Sequence, residues 1–281
     1  MKPAPSSVFL PHTQIEIMAE NLPRGAFQHV LFDFDGTLSL IREGWQNVMI
    51  PMMVEFLRET GTQESDDELF AVVRDYVTRL TGKQTIYQMI ELKAQIEKRG
   101  GVAQDPLDYK HIYLQRLGER IEHRVQGIKN GSIPREDYLV PGSIELMEGL
   151  KQRGVDFYLA SGTDLPFVQD ECAALGLSDY FDGHIYGALD EYKKFSKKMI
   201  IERILRENSL SGPELLAFGD GYVEMENTKE VGGVAIGVAS NEAERRGIDE
   251  WKRGRLIEAG ADVIIPDYRE VDALLGWLFE A

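Results

Sequence analysis

The sequence predicts an α/β protein: a mostly parallel sheet with helices on both faces, interrupted early by a helical insertion. Three observations predict it. From Gly142 onward, short apolar runs alternate with segments of helical period. One more apolar run, His29-Val30-Leu31-Phe32-Asp33, stands alone far upstream. Between the two, residues 41–140 carry helical spacing only. Strands separated by helices pair in parallel, so the sheet is buried on both faces. The expected architecture is Rossmann-like, and in such sheets ligands bind outside the carboxyl ends of the strands.

Taken in order, residues 1–23 form an N-terminal arm of irregular pattern. Residues 24–40 hold the isolated strand, ended by a tight turn at Gly36. In the insertion, helices are expected over 44–60, 66–80, 84–99 and 107–126, broken at Gly61, Gly82, Gly100-Gly101 and Gly127. Pro51 should kink or interrupt the first. Residues 128–141 read as a return linker. The core resumes over 141–281, with helix 143–153, strand 155–160, helix 164–176, strand 184–187 and helix 196–208. Strands 214–218 and 233–238, a polar charged segment, helix 252–259, strand 262–265 and helix 269–279 complete it.

With 281 residues, 43% hydrophobic and 28% charged, the chain can bury a substantial core and carry a second, smaller domain. Its 47 acidic and 31 basic residues leave a net charge of −16. That balance argues against nucleic acid and against an anionic membrane surface as partners. No apolar run is long enough to span a bilayer, and Val8-Phe9-Leu10 is too brief for a signal-peptide core. Cys172 is the single cysteine, so no disulfide can form within the chain. The expected location is cytoplasmic. No segment specifies an oligomeric state.

The chemistry gathers at strand ends. Asp33-Phe34-Asp35-Gly36-Thr37 follows the first strand, Ser161-Gly162-Thr163 the second, and Gly219-Asp220-Gly221-Tyr222-Val223-Glu224 the strand 214–218. Lys193, Lys194, Lys197 and Lys198 lie between the last two. Such a set suits phosphoryl transfer. A carboxylate such as Asp33 can attack phosphorus and split one difficult step into two. Two anions repel, so a hard cation is needed between them; Mg²⁺ takes oxygen ligands, which Asp33 and Asp220 can supply. Asp35, two residues from Asp33 on an extended chain, points the same way and can protonate the leaving oxygen. Ser161 and a lysine offer donors to the phosphate oxygens, as do backbone N–H groups of the Gly36 turn. Lys197 opens a helix and suits the geometry, with Lys193 and Lys194 as rivals.

Other chemistries lack their residues. The five histidines form no zinc-binding pair, and no Walker loop or dinucleotide fingerprint occurs. A cysteine phosphatase needs an arginine six residues after the nucleophile; six after Cys172 is Ser178.

The set Asp33-Phe34-Asp35-Gly36-Thr37, Ser161, a lysine, and Asp220 with Glu224 resembles the haloacid dehalogenase superfamily phosphatases, phosphoglycolate phosphatase-like, with a type-1 helical cap over 41–140. The resemblance implies Asp33 as nucleophile and metal ligand. It implies Asp35 as general acid/base, ligating metal through its backbone carbonyl. Ser161 and Lys197 would act on the phosphoryl group, with Gly36, Thr37 and Gly162 binding substrate. Asp220 would bind Mg²⁺, and Glu224, where the family commonly has Asp, would reach the metal indirectly. Arg42, Trp45, Lys83, Gln84 and Tyr87 are candidates to face the substrate from the cap side.

The expected function is a Mg²⁺-dependent phosphomonoesterase acting on a small phosphorylated metabolite, such as a sugar phosphate, through an aspartyl-phosphate on Asp33. A phosphomutase on the same scaffold and a catalytically silent binding module are the alternatives. Thr37 leans towards the phosphatase. A dehalogenase would lack the acid that Asp35 supplies, and a phosphonatase would need a cap lysine such as Lys83 or Lys93.

Overall fold

A computed structural model describes residues 7–19 and 21–279. The chain forms β1 (Val8–Phe9), β2 (Glu16–Ile17) and β3 (His29–Phe32), then α1 (Gln46–Arg58), α2 (Asp66–Leu80), α3 (Thr85–Lys98) and α4 (Pro106–Lys129). There follow α5 (Ser143–Gln152), β4 (Asp156–Asp164), α6 (Leu165–Ala174), β5 (Ile185–Ala188), α7 (Lys197–Asn208), β6 (Leu215–Gly219) and α8 (Tyr222–Glu230). The last elements are β7 (Val234–Val238), α9 (Glu250–Glu258), β8 (Val263–Ile265) and α10 (Val271–Phe279).

All eight strands join one sheet in the order β1-β2-β8-β7-β6-β3-β4-β5. From β3 to β8 every pairing is parallel. Counting from β3, that order is 3-2-1-4-5-6, the doubly wound arrangement, with its switch point between β3 and β6. The central strands are apolar throughout because both faces are covered. Val30, Phe32, Leu216 and Phe218 point to one face, and Leu31, Leu215 and Ala217 to the other. Phe32 stacks on Phe218 with ring centroids 5.0 Å apart, which ties β3 to β6 at the switch point.

The first of these faces is continuous with the interior of α1–α4, where Met49, Met53, Leu69, Val73, Leu92 and Tyr113 are buried. Ser65 and Glu68 form a reciprocal cap on α2, and Asp105 caps α4 ahead of Pro106.

Several expectations need correction. The N-terminal arm is not wholly irregular: β2 pairs antiparallel with β8 and β1 antiparallel with β2, which extends the sheet. Residues 1–6 lie outside the described part. Pro51 does not interrupt α1, which runs through it; the helical bond it cannot donate is to the carbonyl of Asn47, an exposed residue. Helix α4 reaches Lys129, so the return linker begins later than residue 128. Strand β4 does not stop at Ala160 but runs to Asp164, with a register shift against β5 between those residues.

Candidate functional site

The carboxyl ends of β3, β4 and β6 adjoin because the switch point places those strands side by side. The Asp33 N–H donates to the Phe218 carbonyl at 2.9 Å, which continues the β3–β6 ladder to the first acidic residue. Asp33 is only 5% exposed. Its Oδ1 accepts from the Phe34 N–H at 2.7 Å and lies 2.8 Å from Lys197 Nζ. Lys197 also pairs with Glu224 and is itself buried. Burial pushes the Asp33 carboxyl well above the ordinary range, Lys197 opposes it, and the charges of Glu224 and Asp220 add to it. Burial alone would lower Lys197, but Asp33 and Glu224 outweigh it and hold the ammonium charged. Of its rivals, Lys194 pairs with Glu191 on the surface and Lys193 lies exposed over Tyr192.

Asp35 faces the end of β4. Its Oδ2 accepts from Thr163 Oγ1 at 2.8 Å and, more distantly, from Ser161 Oγ at 3.4 Å. Ser161 is buried, and its oxygen also accepts from the Thr163 N–H at 3.0 Å. The other Asp35 oxygen is buried without a hydrogen bond, 3.8 Å from Arg42 Nε.

Gly36 has φ of +73°, and a Cβ there would fall 2.2 Å from Asp220 Oδ2. The turn therefore admits only glycine beside Asp220. Its N–H groups are not free for a ligand, however: Gly36 donates to Ser39 and Thr37 to Phe34. Thr37 is fully buried, accepts from the Tyr268 hydroxyl at 2.9 Å, and does not line the cleft. Thr37 supports the turn from beneath, through its carbonyl's bond with Tyr268.

Asp220 Oδ2 lies 2.8 Å from Lys252 Nζ, which also meets Glu242 Oε1 at 2.6 Å and Ser240 Oγ at 3.3 Å. Ser240 Oγ in turn donates to the Gly36 carbonyl at 2.7 Å. Glu224 points to Lys197 and not into the cleft, with its second oxygen buried and unpartnered.

The turn between α2 and α3 covers the strand ends. A Cβ on Gly162 would stand 3.1 Å from the Lys83 carbonyl. Gln84 is buried and donates to the Phe195 carbonyl at 2.7 Å, so it anchors the turn and does not line the cleft. Lys83, Arg42 and Trp45 do line it, with Met49, Gln88 and Tyr113, around an interior of about 100 Å³. Tyr87 lies outside that lining, edge-on to Tyr192. Lys93 is on the surface near Glu97. Arg42 is committed elsewhere: it grips Glu171 with both Nε and Nη2, at 3.0 and 2.6 Å. Burial pushes Glu171 up, and Arg42 opposes that.

Sequence reasoning gave Thr163 no role of its own and missed Glu171, Ser240, Glu242 and Lys252. The segment after β7 ends at the same sheet edge as Asp33, and that placement alone could have pointed to Ser240 and Glu242. Cys172 is fully buried, and burial pushes its thiol up to about 12, which suits a core residue and not a nucleophile.

The donor set fits a hard cation. Asp33 and Asp220 present carboxylate oxygens to one cleft, and the Asp220 charge disfavours ionisation of Asp33. Among the described residues, no three acidic, histidine or cysteine side chains converge as a ready-made metal cluster. Also among the described residues, no helix is long and apolar enough to cross a membrane.

Among curated proteins, no sequence matches the chain significantly. Solved structures share the fold. A haloacid dehalogenase-like family hydrolase from Streptococcus pneumoniae is 20% identical at a TM-score of 0.56, over 89% of this chain and 98% of its own. A predicted phosphoglycolate phosphatase from Haemophilus somnus is 16% identical at a TM-score of 0.57, over 89% of this chain and 98% of its own. CbbY from Rhodobacter sphaeroides, solved with phosphate, is 20% identical at a TM-score of 0.54, over 87% of this chain and 96% of its own. The sequence model described as haloacid dehalogenase-like hydrolase matches residues 27–232, a span that holds Asp33, Asp35, Ser161, Lys197, Asp220 and Glu224. With that match over most of its length, the chain belongs to the haloacid dehalogenase-like hydrolase family.

Proposed function

We propose that this hydrolase is a Mg²⁺-dependent phosphomonoesterase acting on a small phosphorylated metabolite in the cytoplasm, with residues 41–140 as a cap over a core of 24–40 and 141–281. The observation that carries the reading is the buried contact of Asp33 with Lys197 at 2.8 Å, beside Asp220 and opposite Asp35. It supplies a nucleophile, a phosphate-binding cation and an acid at one sheet edge.

In the first step an Asp33 oxygen attacks phosphorus and the ester P–O bond breaks. Asp35 serves as the acid of this step and gives a proton to the departing alkoxide. In the second, Asp35 takes a proton from water as that water attacks phosphorus. The bond to Asp33 breaks and inorganic phosphate leaves. Lys197 and Ser161 hold the phosphoryl oxygens through both steps. Thr163 keeps the Asp35 carboxylate aimed through its 2.8 Å hydrogen bond. Mg²⁺, held by Asp33, Asp220 and the Asp35 backbone carbonyl, would supply the positive charge that lets a carboxylate approach a phosphate dianion.

The α2–α3 turn against Gly162 keeps water from the reacting face. The small interior favours a compact leaving group. A structure of CbbY holds phosphate and another holds xylulose-1,5-bisphosphate, which supports a small phosphorylated substrate here as well. Phosphate release across a panel of phosphorylated metabolites, with and without Mg²⁺, tests the proposal. Turnover of at least one member that stops on chelation is expected, and no release from any member would refute it.

A further inference from the structure

The family resemblance assigns the second acidic group near the cation to Glu224. The structure engages that side chain differently. Glu224 is 1% exposed, bonds to Lys197, and does not reach the cleft lining. Another carboxylate does. Glu242, from the loop after β7, lines the cleft on the Asp220 side. An ideal Cβ on Gly36 would stand 2.2 Å from Asp220 Oδ2 and 3.1 Å from Glu242 Oε1, so both oxygens crowd one face of the same turn.

Lys252 explains how two carboxylates tolerate that proximity. Its ammonium is nine-tenths buried and touches Asp220 Oδ2 at 2.8 Å and Glu242 Oε1 at 2.6 Å. Ser240 receives a longer contact from the same ammonium and links it to the Gly36 carbonyl. A single lysine so placed fixes one oxygen of each carboxylate. It offsets one of the two negative charges and leaves the pair anionic beside the cleft.

We propose that Glu242, fixed by Lys252, joins Asp220 in holding the divalent cation at the cleft. Glu242 then does from the β7 loop what the resemblance assigned to Glu224, either through its unbonded oxygen or through a water on the ion. This rests on the Mg²⁺-dependent reading above, and Lys252 acts as a positioning residue for both carboxylates.

Binding of Mn²⁺ to the full chain, read by electron paramagnetic resonance with no substrate present, tests it. The account expects Glu242→Gln to raise the dissociation constant at least tenfold. Lys252→Met should raise it less, since it frees both carboxylates without removing either. The double variant Glu242→Gln, Lys252→Gln removes both charges of the pair and stands in where Glu242→Gln folds poorly; its dissociation constant is again expected at least tenfold above the parent's. A Glu242→Gln constant within twofold of the parent overturns the inference. Phosphate release by the parent is scored separately: a parent that turns over while Glu242→Gln binds Mn²⁺ normally refutes this inference and leaves the proposed function standing.

Discussion

Lys197 Nζ sits 2.8 Å from Asp33 Oδ1, and both side chains are almost fully buried. A buried lysine between two carboxylates is costly to remove, because its loss leaves Asp33 and Glu224 facing each other without a counter-charge. Lys197→Met should therefore lower stability by about 3–5 kcal/mol. Phosphate release should fall ~100-fold or more from loss of charge stabilisation. Denaturant unfolding and initial rates check both, and an unchanged midpoint would contradict the burial argument.

Gly36 is the second point of leverage. An alanine there meets a left-handed backbone at a cost of about 1–2 kcal/mol. It also meets Asp220 Oδ2 at 2.2 Å, which must move. Gly36→Ala should raise the Mg²⁺ concentration needed for half-maximal activity, with a smaller loss in thermal midpoint. A Mg²⁺ titration identical to the parent's would show that Asp220 does not hold the ion.

Thr163 aims Asp35 without touching phosphorus. Thr163→Val keeps the shape and removes the 2.8 Å hydrogen bond. The expected result is a kcat about tenfold lower, the effect of a misaimed acid worth ~1.4 kcal/mol, with KM within twofold. Steady-state kinetics separates this from a binding defect, which would move KM instead.

Arg42 and Glu171 form a buried pair 129 residues apart in the chain. Arg42→Met strands the Glu171 carboxylate and should cost about 3–5 kcal/mol. Replacing both with methionine removes the stranded charge, so the double variant should be more stable than Arg42→Met alone. A double-mutant cycle by denaturant unfolding measures the coupling.

The N-terminal arm carries its own pH dependence. Glu16 is fully buried in β2, and the hydrogen bonds from Arg253, at 2.7 and 2.6 Å, hold its carboxyl below the ordinary value of 4.5. A depressed folded-state value means the pair stabilises the fold fully above pH 4.5, and loses that contribution as pH falls below it. Arg253→Met should flatten or reverse that part of the stability profile below pH 4.5 while lowering stability at neutral pH. Urea unfolding across pH 3–7 reads the slope.

Much of the architecture was legible because apolar period reports burial directly. Strands β6 and β7 are uninterrupted apolar runs and β3 is one after His29, and α2 matched its expected range at both ends. The two-residue strands of the arm were not legible, since only the β8 edge makes them strands. Ser161-Gly162-Thr163 reads locally as a turn, yet pairing with β5 holds the chain extended to Asp164. The candidate site divides the same way. Residues just after strand ends can be placed by topology, so Asp33, Asp35, Ser161 and Asp220 were expected at one edge, and they line one cleft. Lys252 and Glu171 lie on helices whose periodicity says nothing of a partner far away in sequence. Arg42 lines the cleft, but its grip on Glu171 depends on how α6 packs and is not legible in the local sequence.

Covalent trapping tests the role of Asp33 most directly. The chain is mixed with Mg²⁺ and ³²P-labelled p-nitrophenyl phosphate, quenched in acid, digested and mapped. The account predicts label on the peptide containing Asp33, released by hydroxylamine, and none in a folded Asp33→Asn variant. Turnover by the parent with no labelled peptide, or with label retained in Asp33→Asn, would contradict it.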